Sequence, residues 1–328
     1  MILIAGGAGY IGSHCTLDFI RAGYDCAVLD NLSEGHKEAL QTDNFYKTDL
    51  SNPDAIREVF KKHSIKAVIH FAAYAYVGES VINPQKYYYN NVVNTLNLLR
   101  VMLEHNVKNI VFSSTCATYG NPQYTPIDES HPQNPINPYG MTKLMIEKIL
   151  KDYNRAYGLN YTALRYFNAA GADPTVRIGE SHNLETHLIP LVLRTAKGEI
   201  DSIKVFGTDY DTPDGTCIRD YIHVNDLSKA HRLAVEQLLT GEGSAEEKNN
   251  FYNLGIGKGY SVKEIIEVCE KVVGRSINKE YVERREGDPP VLVAANSKAR
   301  GKLGWEPEFT DIHDIIRTAW EWEQNRLY

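Results

Sequence analysis

The chain has 328 residues, 43% of them apolar and 23% charged, and a formal net charge of -7 at pH 7. That length suits two domains or one large sheet with an appendage, the apolar share supports a sizeable core, and no low-complexity stretch marks disorder. The charge carries no basic stripe, which argues against a nucleic-acid surface; no apolar run is long enough to span a bilayer, and the cysteines (Cys15, Cys26, Cys116, Cys217, Cys269) form no CxxC pair, so a cytoplasmic protein with a small-molecule partner, reduced thiols, no disulfide framework and no metal site is expected.

The first apolar run, 2–5, reads as a strand and leads straight into GGAGYIG, where Gly6, Gly9 and Gly12 open a helix whose apolar face includes Ile11, Leu17 and Ile20. In that context glycines permit a tight turn and close backbone approach to a pyrophosphate, which sits on unpaired N–H groups at a helix N-terminus. A second strand, 26–29, ends at Asp30, eighteen residues after Gly12, where a carboxylate can accept hydrogen bonds from a ribose diol and repel a 2′-phosphate. NAD is therefore favoured over NADP. Asp49, after the run 45–48, stands where it meets either the adenine end or the start of the next helix. Further strands are expected at 67–71, 109–112 and 161–166, with helical patterns between them. This alternation predicts a doubly wound parallel α/β sheet of the NAD-binding Rossmann type, with ligands at the carboxyl ends of its strands.

The strand 109–112 runs into Ser113, Ser114 and Thr115, placing hydroxyls at that ligand-binding edge. Asn137 and Pro138 then cap and start a helix, so Tyr139 and Lys143 stand at i and i+4 on one face. A phenol has an ordinary pKa of about 10, and a neighbouring cation favours the phenolate, bringing Tyr139 toward a general base. After Asn168 strands become sparse and Gly-Asp-Pro clusters such as 207–215 and 287–290 break the chain, so residues 1–167 are expected to form the cofactor domain and 168–328 a smaller α/β substrate-binding lobe with some segments returning to the sheet.

With these features in this order, the chain resembles the extended short-chain dehydrogenase/reductases and, within them, the UDP-sugar 4-epimerases. The resemblance extends over nearly the whole length, through GGAGYIGSH (6–14), LDNLS (29–33), HFAA (70–73), VGES (77–80), YYNN (88–91), SSTCATYG (113–120), NPYGMTK (137–143), LRYFN (164–168), DGTCIRDYIHV (214–224) and RREGDPP (284–290). It implies interconversion of UDP-glucose and UDP-galactose through a transient 4-keto sugar, with N-acetylated sugars as further substrates and NAD held tightly throughout. By correspondence, Tyr139 is the acid/base, Thr115 bonds the same sugar oxygen, and Lys143 binds the nicotinamide ribose and lowers the Tyr139 pKa. The cofactor would be lined by Gly6, Gly9, Tyr10, Ile11, Gly12, Asp30, Asn31, Asp49, Leu50, Phe71, Ala72, Ala73, Asn90, Ser113, Ser114, Tyr139, Lys143 and Tyr166. The UDP-sugar would meet Thr115, Tyr139, Phe167, Asn168, His187, Leu188, Val205, Phe206, Arg219, Arg285, Asp288 and Leu292, the two arginines clamping the diphosphate.

Three positions depart from the pattern or leave it open. Ala75 replaces a lysine that often reaches the cofactor phosphates, His187 replaces an asparagine, and Leu292 stands at the position that gates sugar size. The resemblance also implies a homodimer built from helices at about 84–105 and 138–157, with Leu96, Leu99 and Leu144 in the seam. A UDP-xylose/UDP-arabinose 4-epimerase is the nearest alternative. A nucleotide-sugar 4,6-dehydratase is disfavoured because Cys116 and Ala117, not an acid pair, follow Thr115. A non-catalytic NAD-binding sensor is disfavoured because Tyr139 and Lys143 are both present.

Overall fold

The computed structural model describes residues 1–240, 249–285 and 288–328, so Glu286 and Gly287 of the RREGDPP segment lie outside the described residues. In chain order the first half comprises β1 (Ile2–Ala5), α1 (Tyr10–Arg21), β2 (Cys26–Asp30), β3 (Phe45–Lys47), α2 (Pro53–Lys62), β4 (Ala67–His70), α3 (Val77–Ile82), α4 (Pro84–Tyr87), α5 (Asn94–Glu104), β5 (Asn109–Thr115), α6 (Pro138–Tyr157) and β6 (Asn160–Tyr166). The second half comprises β7 (Asn168–Ala170), α7 (Leu188–Lys197), β8 (Ile203–Phe206), β9 (Ile218–His223), α8 (Val224–Thr240), β10 (Asn249–Leu254), β11 (Gly259–Ser261), α9 (Val262–Val273), β12 (Lys279–Val282), β13 (Val291–Leu292), α10 (Ser297–Leu303) and α11 (Ile312–Asn325).

Seven strands pair in parallel in the order β3-β2-β1-β4-β5-β6-β10. These strands read as unbroken apolar runs because both faces are covered. Ile2, Ile4, Val28, Ile69 and Leu164 point to α1 and α8, where Cys15, Phe19, Leu227 and Ala230 meet them. Leu3, Leu29, Val68 and Phe112 point the other way, onto Ile56, Leu98, Met102 and Ile146. Burial of each such aliphatic side chain contributes about 1.5–3 kcal/mol, so the alternation fixes which face each helix covers. On α1, Cys15 and Phe19 face the sheet, whereas Leu17 packs on Ala39 and Ile178 and Ile20 is exposed. Strand order reverses between β1 and β4, which opens the crevice where a dinucleotide binds in doubly wound sheets.

The chain crosses back to this sheet after residue 168: α8 packs on α1, and β10 pairs with β6 along its length. A second core holds Ile189, Val192, Val205, Ile265, Ile266, Ile315 and Ile316 together beneath β9, which runs parallel to β7 and β13 and antiparallel to β11. The five cysteines are buried and free.

The expected helix at 84–105 forms without a break, α4 running into α5 through a π-helical turn. Residues Tyr88–Val93 wind as a π-helical turn, which rotates Asn91 inward; its Nδ2 donates to the Tyr74 carbonyl (3.0 Å) and to Thr142 Oγ1 (3.2 Å), while its Oδ1 accepts from the Tyr74 N–H (2.9 Å). The expected seam differs: Leu99 lies in the sheet core and Leu144 is buried within the subunit, leaving only Leu96 of the three partly exposed. The apolar period on α5 faces its own sheet.

Candidate active site

The glycine turn is required by geometry at two positions. Gly6 adopts φ +84°, and a Cβ there would meet the Ala72 amide nitrogen at 2.6 Å; a Cβ on Gly12 would meet the Gly6 carbonyl oxygen at 2.1 Å. Gly9 differs, since a Cβ there would find only the Gly6 oxygen at 3.5 Å, an ordinary contact. Packing does not demand glycine at this N-cap, and its bareness leaves open space over the first turn of α1, whose leading N–H groups have no intrahelical acceptor. Phe71 and Ala72 both donate their N–H to the Ala5 carbonyl (2.8 and 3.0 Å), locking the β4 loop beside the turn, with Ala73 next in line.

At the end of β2, Asp30 accepts from the Ala8 N–H (3.0 Å) and the Leu32 N–H (2.8 Å), one on each oxygen. Burial raises its pKa, and backbone N–H groups of Leu32, Ala8 and Asn31 oppose the rise. Two bonds leave lone pairs free for a diol. Asp49 is held by Asn31 Nδ2 (2.6 Å) and the Ser51 N–H (2.7 Å); desolvation opposes, but these bonds hold its carboxyl below the usual range. It therefore braces Asn31. Leu50 lies in the core beneath α5, and its carbonyl accepts from Asn97 Nδ2 (3.1 Å). Asn90 donates to Asn91 Oδ1 (3.0 Å).

The strand β5 continues three residues beyond the expected end, through Thr115, which pairs in register with Tyr166. Asn137 caps α6 by accepting from the Gly140 N–H (2.8 Å), with Pro138 at the first helical position, so Tyr139 and Lys143 project from the first turns toward that strand. Lys143 Nζ donates to the Ser113 carbonyl (2.7 Å), and its ammonium lies 5.0 Å from the Phe112 ring centroid and 5.9 Å from that of Tyr139. The Ser113 hydroxyl pairs with the Tyr166 hydroxyl. The electrostatics differ from the sequence expectation. Burial pushes the Tyr139 phenol up to about 12, with neighbouring Thr115 pulling down and Cys116 pushing up, while burial brings Lys143 down to about 7. The cation is spent on a carbonyl and a ring face, so desolvation outweighs it at the phenol.

On the substrate side, the structure brings some expected residues together and separates others. Arg219 Nη2 donates to Asp288 Oδ1 (3.0 Å), and the Arg285 guanidinium stacks 4.5 Å over the Phe206 ring. Val205 is a correction: strand alternation turns its side chain fully into the second core, and only its neighbour Phe206 faces away. Leu292 packs with Cys116, Tyr119 and Phe167, the first of these directly after β5. Asn168 starts β7 beside Tyr221, and Leu188 begins α7. His187 turns Nδ1 to Glu185 (3.0 Å) rather than outward; partial desolvation lowers its pKa, but Glu180 and Glu185 override this and push it up to about 10. Tyr10 donates to the Gly171 carbonyl (2.6 Å), tying α1 to the second lobe, with Ile11 following it in the same turn.

Sequence reasoning missed a buried network behind the site. Glu147, one turn beyond Lys143, accepts from Arg165 Nε (2.8 Å) and Nη2 (2.7 Å), from the Ser114 hydroxyl (2.6 Å) and from Gln133 (3.0 Å). Arg165 also donates to the Tyr119 hydroxyl (3.0 Å), which donates to Asn253 Oδ1 (2.6 Å). An arginine inside an apolar strand was the available signal.

A family model described as the NAD dependent epimerase/dehydratase family matches residues 2–255. A UDP-glucose 4-epimerase of Halalkalibacterium halodurans is 53% identical over 323 residues, covering 98% of this chain and 95% of its own. The crystal structure of UDP-glucose 4-epimerase from Brucella ovis in complex with NAD is 50% identical with a TM-score of 0.94, covering 98% and 97% of the two chains. That from Bifidobacterium longum in complex with NAD+ and UDP is 38% identical with a TM-score of 0.93, covering 99% and 98%. The glycine turn, the strand-end hydroxyls and the Tyr-Lys helix thus lie within a chain that belongs to the NAD dependent epimerase/dehydratase family.

Proposed function

We propose that this chain is an NAD-dependent 4-epimerase that interconverts UDP-glucose and UDP-galactose. One observation carries the chemistry: the buried Tyr139 phenol stands on the first turn of α6 beside Thr115 at the carboxyl end of β5, with Lys143 one turn on, its Nζ 5.9 Å from the Tyr139 ring centroid and bonded to the Ser113 carbonyl. Full-length similarity to UDP-glucose 4-epimerases supports the substrate. The residues fit NAD, because the bare Gly9 cap leaves room for a pyrophosphate and Asp30 keeps lone pairs for a ribose diol. NAD held there would take up and return the hydride at C4, and its pyridinium charge would favour the phenolate.

The chain's own residues then divide the work. Tyr139 accepts the proton of the sugar 4-hydroxyl and returns it to the same oxygen after the keto sugar turns over. Thr115 holds the same oxygen. Lys143, anchored on the Ser113 carbonyl, positions the cofactor ribose and presents positive charge to the phenol. Arg219 and Arg285, on the second lobe, clamp the diphosphate, while Asp288, Phe206 and Leu188 hold the uridine, the first lobe keeping the cofactor. Product analysis of parallel incubations with UDP-glucose, UDP-N-acetylglucosamine and UDP-xylose tests the assignment. The expected result is fastest conversion of UDP-glucose; conversion of UDP-xylose alone overturns it in favour of a pentose epimerase.

The chain is further proposed to act as a cytoplasmic homodimer. A groove between α5 and α6, lined by Leu96, Leu103, Tyr153 and Tyr157 with Arg100 and Glu104, supports pairing through these helices. A light-scattering mass equal to the 37.0 kDa of one chain at micromolar concentration contradicts it.

A further inference from the structure

Between β7 and α7 the chain reads Glu180-Ser181-His182-Asn183-Leu184-Glu185-Thr186-His187, and its four donor side chains converge: one carboxylate oxygen or imidazole nitrogen from each of Glu180, His182, Glu185 and His187 lies within 4.8 Å of the others. Most of this cluster is internally satisfied. Glu185 Oε1 accepts from the N–H groups of Thr186 (2.8 Å) and His187 (2.9 Å) and from His187 Nδ1 (3.0 Å), and Oε2 pairs with His182 Nδ1 (3.2 Å).

Glu180 is the exception. Its side chain is 8% exposed, and its Oε1 points into the cluster without a hydrogen bond. That oxygen sits 2.7 Å from His187 Nδ1 and 3.5 Å from His182 Nδ1, yet the one hydrogen on His187 Nδ1 is aimed at Glu185. Among the described residues no lysine or arginine pairs with Glu180, and Arg194 comes no closer than 3.8 Å to Glu185. The Glu180 oxygen therefore shares one imidazole N–H with Glu185 and receives no aligned hydrogen bond of its own, and an ion bound by all four groups would replace that shared proton with a direct bond to each.

We propose that Glu180, His182, Glu185 and His187 form a binding site for one divalent transition-metal ion of the zinc class. Two imidazole nitrogens and two carboxylate oxygens are a donor set that suits Zn2+ in a four-coordinate site. Donors at about 2.0–2.1 Å from a tetrahedral ion stand about 3.3 Å apart, so on binding the 2.7 Å pair must open and the widest pair close. The loop is anchored on the first lobe, since His36 Nε2 lies 3.0 Å from the Ser181 carbonyl and the His182 ring meets those of Tyr76 (6.2 Å) and Tyr10 (6.5 Å) edge-on. An ion here would fix the entrance to α7 against the glycine turn. The Glu-x-His-x2-Glu-x-His spacing matches no common metal motif, and the expectation of no metal site rested on the cysteines alone. The site stands independently of which sugar is turned over.

The test uses tag-free, cofactor-containing protein, treated with EDTA and titrated with ZnCl2 by calorimetry and with CoCl2 by visible absorption. The expected results are one equivalent of Zn2+ bound, Co2+ bands of a four-coordinate centre, and about 10-fold or greater weakening in Glu180→Gln and in His182→Ala with cofactor content and circular dichroism unchanged. If His182→Ala fails to fold, the isosteric Glu180→Gln decides. No saturable Zn2+ binding, octahedral Co2+ bands, or affinity retained in Glu180→Gln overturns the proposal.

Discussion

Breaking the ion pair of Glu147 and Arg165 is the sharpest test of how the site is held. Both side chains are nearly sealed from solvent, at 2% and 3% exposure, and Arg165 makes two bonds to the carboxylate at 2.7–2.8 Å. Replacing Glu147 with leucine leaves a guanidinium in the interior with only the Tyr119 hydroxyl to accept from it, and it removes the acceptor of the Ser114 hydroxyl. Removing one partner of a buried pair costs about 3–5 kcal/mol, whereas replacing both with apolar groups of similar volume is near neutral. At about 2 °C per kcal/mol for a chain of this size, Glu147→Leu is expected to lower the melting temperature by roughly 6–10 °C, Arg165→Met by a similar amount, and the double variant by less than either. Thermal and urea unfolding followed by circular dichroism measures all four corners of the cycle. A double variant whose loss equals the sum of the single losses refutes the reasoning, because the two charges would then not be compensating one another.

Tyr139→Phe is expected to lower kcat by about 10²–10⁴ with little change in KM, and Thr115→Val by less, since the first removes the acid/base and the second only a hydrogen bond to the same oxygen; equal losses in steady-state assays contradict the division. Lys143 is buried and its pKa is brought down to about 7, against about 10.4 in an unfolded chain, so the unfolded state binds more protons between those values. Its contribution to stability is present above pH ~10 and lost as pH falls through 7, and Lys143→Met should flatten the rise of melting temperature between pH 7 and 9.5 in cofactor-free protein; parallel curves contradict this. Gly12→Ala puts a Cβ 2.1 Å from the Gly6 oxygen and should yield protein without bound dinucleotide, read by mass spectrometry of the denatured supernatant.

The parts legible in the sequence were those fixed by local backbone geometry. A glycine turn after an apolar run requires particular φ values and close approaches, and Asn137-Pro138 states where a helix begins, so β1, α1 and the Tyr139–Lys143 face could be placed from spacing alone. Parallel strands buried on both faces were equally plain as apolar runs. What escaped depends on contacts between distant segments or on one residue of rotation. Arg165 meets Glu147 across a helix and a strand, the π turn at Tyr88–Val93 adds a residue that no periodicity announces, and Val205 differs from Phe206 only by which side of β8 it faces. Leu99 and Leu144 carry helical spacing that identifies a buried face without saying whether the partner is another subunit or the chain's own sheet. The surroundings of Tyr139 were only half legible for a related reason: sequence shows that a lysine is near, but not that both groups are buried and that the lysine nitrogen is already bonded to the Ser113 carbonyl.

The central claim is that configuration at C4 is inverted by removing and returning the same hydrogen as hydride, with Tyr139 handling only the hydroxyl proton. Incubating the purified protein with UDP-glucose in D2O, without added NAD, and analysing the sugar by mass spectrometry and NMR tests it directly. The account predicts UDP-galactose with no deuterium on carbon; UDP-galactose carrying one deuterium at C4 would contradict it.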